Sequence, residues 1–393
     1  MSCTTGSVVD STANNPAPDV GQPTEEQPEE AVSQMRAADG AIPLGKIAVV
    51  AATNWTDPVG SIASLDTSAN YAATLALTTT DGSDVVLRSF NGRVYVINRF
   101  GTDTIQVMDA KSYSVVADYS VGGGSNPQDI WVISDEKAYV TRHDSQNDKE
   151  IADDLLIINP LTGAQIGSLD FKSYMEDDGD KLSRAAQMVA VDKKLFVCLQ
   201  DLQSNLMDPA NTNGKVAVID TETDEIITVI ELSGRNPADI TYSPLTKLIY
   251  VTDSGVFNNF VTDVTDGYGG IEVVDPETLE SKGIVVDDAA LGAYPSEIRL
   301  ASDTLGFVIV GGMSIASFNP TSFEVKNNAL YTISGFYLPD FSIDDNGNLL
   351  VTETSATTPG IVVVNPSDGT VVAGPIAVGA PPSSITFVNP PPL

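Results

Sequence analysis

The sequence predicts an all-β fold, a seven-bladed β-propeller of four-stranded blades closed into a ring. Three observations predict it. An apolar run ending in Asp or Asn before a polar turn occurs seven times; a second run, often opened by Pro, also occurs seven times; and the copies are evenly spaced. Asp66 and Asn365 lie 299 residues apart over six intervals, about 50 residues per copy, the length of one blade.

The clearest unit is residues 93 to 116, where Arg93-Val-Tyr-Val-Ile-Asn98 and Thr104-Ile-Gln-Val-Met-Asp109 alternate as strands around a Gly-containing turn. We label the four strands of a unit A to D. The Asp- or Asn-terminated strand C recurs as Ser61 to Asp66, Thr104 to Asp109, Leu155 to Asn159, Lys215 to Asp220, Gly270 to Asp275, Ser314 to Asn319 and Gly360 to Asn365. Strand A is read at Ser83 to Leu87, Pro127 to Val132, Ala186 to Ala190, Pro237 to Thr241, Pro295 to Arg299, Pro339 to Ile343 and Pro382 to Thr386. Strand B, rich in Tyr and Phe, follows each strand A after a tight turn. The first copy starts at strand B, Ile47-Ala-Val-Val50, and the last ends at a lone strand A, Pro382 to Val388. The C-terminal strand is therefore expected to complete the N-terminal blade, a closure that leaves no exposed end to the ring.

Phrases such as Arg93-Val-Tyr-Val-Ile-Asn98, Leu248-Ile-Tyr-Val-Thr-Asp253 and Lys215-Val-Ala-Val-Ile-Asp220 resemble the Tyr-Val-Thr-Asn (YVTN) repeat family of bacterial and archaeal seven-bladed propellers, found in surface-layer and secreted proteins. The resemblance spans residues 46 to 388 and implies fold and an extracytoplasmic setting. It implies no single activity, because propellers host enzymes, sensors and scaffolds alike.

Residues 1–45 read differently. They are rich in Ser, Thr, Asn, Pro and Glu and carry too little apolar surface to fold, so a disordered tether is expected ahead of a propeller at 46–393. Cys3 at the head of this tether resembles the lipid-bearing cysteine of a mature bacterial lipoprotein, which implies a lipid anchor at Cys3 and a periplasmic, outer-membrane-surface or secreted location.

Composition narrows the function. With 20 Lys and Arg against 53 Asp and Glu the net charge is -33, which repels nucleic acid and anionic lipid headgroups. Two Cys and one His support neither a disulfide framework nor a multi-His metal site. Cys198, inside Leu195-Phe-Val-Cys-Leu199, reads as a small buried hydrophobe. Gly-x-Ser-x-Gly, phosphate-cradling and dinucleotide motifs are absent from the sequence.

Candidate site residues lie where loops are long. The A-to-B and C-to-D turns are short, while insertions occur at about 143 to 153, 170 to 184, 200 to 213 and 253 to 269, all on the opposite face and all in blades 3 to 5. Long loops on a rigid scaffold are where binding residues concentrate. The ends of strand B supply Arg99, Arg142, His143, Gln200, Asp253 and Glu353 as candidate ligand-binding residues, with the Arg forks suited to carboxylate or phosphate. Strand A supplies Asp84, Asp129, Asp239 and Glu297, whose convergence on the axis would suit a hard cation, Ca²⁺ or Mg²⁺, or else caps for neighbouring main-chain groups. The expected function is a binding or scaffold module for a protein, surface polymer or small ligand, with no cofactor required and the ring a monomer. The alternative is a divalent-metal-dependent hydrolase or lactonase at the channel mouth.

Overall fold

The computed structural model describes residues 46–388 except 55, 145–154, 176–181, 203–211, 259–260, 263 and 265. Cys3 and the N-terminal tether lie outside the described residues. Seven four-stranded antiparallel sheets form the seven blades, each running A-B-C-D from the axis outward. Blade 1 is Ile47–Ala52, Ser61–Asp66 and Ala72–Thr79, with Pro382–Val388 hydrogen-bonded to Ile47–Ala52 as its strand A. The expected closure is present. Strands A of blades 2 to 7 are Val85–Phe90, Pro127–Ser134, Ala185–Val191, Pro237–Ser243, Pro295–Leu300 and Phe341–Ile343, and each of the seven packs against the next around the axis.

The recurrent Tyr-Val phrase is explained by position. Strand B is an inner strand covered by neighbouring blades on both faces, so it reads as an unbroken apolar run rather than an alternating one. Its aromatics Tyr95, Tyr139, Phe196, Tyr250 and Phe307 are all fully buried. A Val of each strand B (Val50, Val96, Val140, Val197, Val251, Val308, Val351) stands opposite one apolar residue of strand A. That pairing gives a common register around the ring.

The strand-C terminal Asp or Asn has a local job in every blade. Its side-chain oxygen accepts the main-chain N–H two residues on: Asp66 from Ser68 at 2.9 Å, Asp109 from Lys111 at 3.1 Å, Asn159 from Leu161 at 3.0 Å, Asp220 from Glu222 at 2.8 Å, Asp275 from Glu277 at 3.0 Å, Asn319 from Thr321 at 2.8 Å and Asn365 from Ser367 at 2.9 Å. These are Asx turns, which set the C-to-D reversal and explain why the repeat signature tolerates either residue. The amide of Ser112 above all holds the Asp109 carboxyl below its usual range, as that of Glu222 does for Asp220.

The outer edge is handled uniformly. All seven C-to-D pairings contain a register shift, so no strand D presents a flat run of unpaired N–H and C=O groups to a neighbouring molecule.

Candidate functional site

The position before the common register point on strand A holds Val86, Asp129, Gln187, Asp239, Glu297, Asp340 and Ser384 in blades 2 to 7 and then 1. Asp129 accepts the N–H of Met188 in blade 4 at 3.0 Å, Asp239 that of Ile298 in blade 6 at 2.9 Å, and Asp340 that of Ile385 in blade 1 at 2.7 Å. Ser384 accepts the N–H of Leu87 in blade 2 at 3.1 Å. Each of these side chains fastens its own blade to the next. Among the described residues Val86, Gln187 and Glu297 make no such link, so the clasps occur on odd-numbered blades. Of the acids expected on the axis, Asp129 and Asp239 therefore spend one oxygen on a main-chain clasp. The sequence register for blade 2 was two residues off: Asp84 lies outside the ring position, which Val86 occupies.

Arginine supplies the counter-charge. Arg88 donates to Asp129 at 2.8 Å and to Gln187 at 2.6 Å, and Arg99 to Asp84 at 2.6 Å and Gln128 at 2.9 Å. Arg299 meets Asp239 at 2.8 Å, Glu297 at 3.3 Å and Asp340 at 3.5 Å. Burial drives the Asp129 carboxyl upward, and Arg88 with two amides works against it. Burial and then the adjacent Asp340 carboxylate push Glu297 well above the carboxylate range, with Arg299 opposing. One guanidinium among three carboxyls offsets their mutual repulsion only in part, which disfavours ionisation of Glu297.

The three arginines, with Asp84, Asp239, Glu297 and Asp340, line a cavity of about 100 Å³ at the channel mouth, and Tyr337 stands on its wall. Tyr337 as a whole is about half exposed, but its phenol end is turned into the cavity, where burial and then the negative charge of Glu297 raise it to about 12. Four aromatic side chains are exposed among the described residues: Phe100, Tyr174, Phe336 and Tyr337. All four sit in B-to-C or D-to-A connections, on the channel-mouth face.

A second cluster joins the loop flanks of blades 3 and 4. His143 Nε2 and Gln200 Oε1 are 2.7 Å apart, Asn126 donates to Asp144 at 2.8 Å, and Arg184 donates both to Asp144 and to the His143 carbonyl. Burial acts to raise the Asp144 carboxyl, but His143, Asn126 and Arg184 together hold it below its usual value. Asp144, Arg184 and Gln200 flank three of the four insertions, whose central residues lie outside the described set. The insertions thus leave the ring from one sector.

Two of the expected ligand residues are placed elsewhere. Asp253 is fully buried, and Glu353, 3% exposed, accepts the N–H groups of Ser334 at 2.8 Å and Gly335 at 2.9 Å. Glu353 thereby anchors the loop that enters blade 7, while Asp253 is enclosed beneath the loop that enters blade 5. Arg142 is 8% exposed at the end of its strand B. Among the described residues no group of three or more His, Cys, Asp or Glu is arranged to hold a metal ion. Sequence reasoning missed Arg88, Arg299 and Tyr337. For the two arginines a signal existed: both occupy the residue after the register point, and eight Arg in a chain of net charge -33 are few enough to be traced one by one.

No family model matches the chain, and no curated protein matches it. Solved structures do. A putative 6-phosphogluconolactonase from Bacteroides fragilis is 14% identical with a TM-score of 0.62, over 87% of this chain and 98% of that one. One from Bacteroides uniformis is 14% identical with a TM-score of 0.59, over 87% and 99%. A functionally unknown protein from Desulfotomaculum acetoxidans is 13% identical with a TM-score of 0.57, over 88% and 100%. The likeness is one of fold. At such identity it says nothing about site residues.

Proposed function

We propose that the chain is an extracytoplasmic binding module that presents its channel-mouth face, from the loop sector of blades 3 to 5 to the rim of the channel, to a protein, a surface polymer or a small ligand. The observation that carries this reading is the restriction of all four exposed aromatic side chains among the described residues to that one face. Aromatic rings left in water on a highly charged protein favour an apolar or sugar-like partner surface. In keeping with the resemblance above, we place the protein outside the cytoplasm, tethered through a lipid on Cys3, and mass spectrometry of the native N-terminus tests that assignment. For the face itself, a Phe100→Ser, Tyr174→Ser, Phe336→Ser variant is expected to keep its thermal midpoint within a few degrees. It should lose at least about tenfold in retention of whatever co-purifies with the wild-type protein, since hot-spot aromatics typically contribute 2 kcal/mol or more, as a rough guide. Unchanged retention would sink the reading.

A second reading, a divalent-metal hydrolase or lactonase, is favoured by one observation: Asp84, Asp239 and Glu297 line a single cavity, and the solved lactonase-type propellers share the fold. Of the four acids Asp84, Asp129, Asp239 and Glu297, the three that line the cavity, Asp84, Asp239 and Glu297, would hold Ca²⁺ or Mg²⁺ after displacing their arginine partners, with Asp129 buried behind them, and the ion would polarise a substrate oxygen or activate water. Under this reading purified protein contains stoichiometric metal, loses thermal stability in chelator and hydrolyses a phosphorylated sugar lactone. Absence of both metal and turnover removes it.

A further inference from the structure

Blade 5 contains a buried acid that neither reading uses. Asp253 ends the strand Leu248–Ser254 and Glu272 lies on the adjoining strand Gly269–Asp275; both side chains are completely buried. The two carboxyls lie against each other. Their surroundings are unequal. Glu272 accepts the N–H of Ser233 at 2.9 Å, the N–H of Gly234 at 2.9 Å and the Ser281 hydroxyl, a set of donors that fits an ionised carboxylate. Neither oxygen of Asp253 receives a hydrogen bond. A Cβ on Gly234 would stand 2.3 Å from Asp253 Oδ2, so only glycine lets the loop lie directly on this pair. An ionised Asp253 would be a dry, donorless charge beside a second carboxylate, which is strongly unfavourable. As a neutral acid it instead donates its proton to Glu272.

We propose that Asp253 and Glu272 share one proton and that this proton is a pH-sensitive latch on the loop that enters blade 5. Glu272 grips the loop at Ser233 and Gly234. The next residue, Arg235, stacks its guanidinium 3.6 Å from the centre of the Tyr268 ring, receives a hydrogen bond from Gly255 N–H at 3.0 Å and donates its own N–H to the Tyr268 carbonyl at 2.9 Å. The latch thereby fixes both ends of the blade 5 insertion on the channel-mouth face. Burial, then the Glu272 charge, push the Asp253 carboxyl well above its ordinary value. The other ionisable groups around the pair are the Cys198 thiol of blade 4, itself pushed up chiefly by burial and so neutral, Asp239 on the adjoining strand A, neutralised by Arg299, and Arg235 above. The sign follows. Folded Asp253 binds its proton more tightly than the unfolded chain does, so the stabilisation is complete below about pH 4 and is lost as pH rises toward the folded value.

The test compares the full chain with Asp253→Asn, which keeps a donor toward Glu272 but cannot ionise. Thermal midpoints are measured every half unit from pH 5 to 8.5, and exchange of the Ser233 and Gly234 amides is followed at the same pH values. The wild-type midpoint is expected to fall with rising pH by several degrees more than that of the variant. The two amides should exchange at least tenfold faster in the wild type than in the variant at the upper end. A midpoint difference that stays constant across the range, or equal exchange, overturns the proposal. If Asp253→Asn does not fold, Glu272→Gln removes the second charge instead, and there a wild-type-like pH slope is the overturning result. Neither readout depends on a ligand, so the outcome is independent of the binding function proposed above.

Discussion

Arg299→Met is expected to cost on the order of 3 to 5 kcal/mol in unfolding free energy, measured by denaturant titration, because it removes one partner of a buried ionic cluster and leaves the others uncompensated. The guanidinium is 8% exposed and stands among Asp239, Glu297 and Asp340. Without it, three acids from blades 5, 6 and 7 face one another in the channel-mouth cavity. Glu297 is already displaced toward its neutral form, so a second member must protonate too. The loss should therefore be smaller at pH 5 than at pH 8. A loss under 1 kcal/mol, or one that does not vary with pH, would show that water reaches the cluster freely. Arg299→Lys should recover only part, since an ammonium cannot span three carboxyls as a planar fork does.

Ending the chain at Pro381 is expected to abolish the cooperative thermal transition altogether. Such a truncation removes strand A of blade 1, and with it the Ile385 amide held by Asp340 and the Ser384 hydroxyl that holds Leu87. It opens Ile47–Ala52 to solvent along one side. A synthetic peptide of residues 380–390 added to the truncated chain should restore the transition, read by circular dichroism or by emission from the buried Trp131. A truncated chain that melts within a few degrees of the full one would mean that closure contributes little to stability.

The architecture was legible because each part of the repeat has a local cause. The Asp or Asn ending strand C is an Asx-turn acceptor in all seven blades, and the Tyr-Val run is an inner strand covered on both faces. These are short-range consequences of residue type, and they survive without knowledge of the neighbours. The axis was only half legible. That strand A carries acids was visible, and so was the option that they cap main-chain groups. Their alternate use as clasps was not, because the amide that Asp129 accepts belongs to Met188, 59 residues on. Asp84 was misplaced because blade 2 lacks the Pro that marks the strand start in five of the other six blades, and a two-residue slip in a strand keeps the same face. Asp253 and Glu353 were read as rim groups from their position at the end of strand B, whereas the loops folded over them bury both. The exposed aromatics could have been listed from sequence, but their sharing of one face is a property of the closed ring.

An odd number of blades has a consequence for the order in which the ring comes apart. Strict alternation of clasped and unclasped junctions cannot be completed around seven positions, so two like junctions must fall side by side, and here they are clasped ones. They fall at blades 7 to 1 and 1 to 2, through Asp340 and Ser384, on either side of the strand Pro382–Val388 that closes the ring. Ser89 and the Phe387 carbonyl, bonded at 2.6 Å, are 298 residues apart in sequence, a separation that makes pairing at this seam slow to form. The double clasp acts as a buckle at the seam: once fastened, the ring has no free end from which to unzip, and its persistence is governed by the rate at which one seven-residue strand can be released.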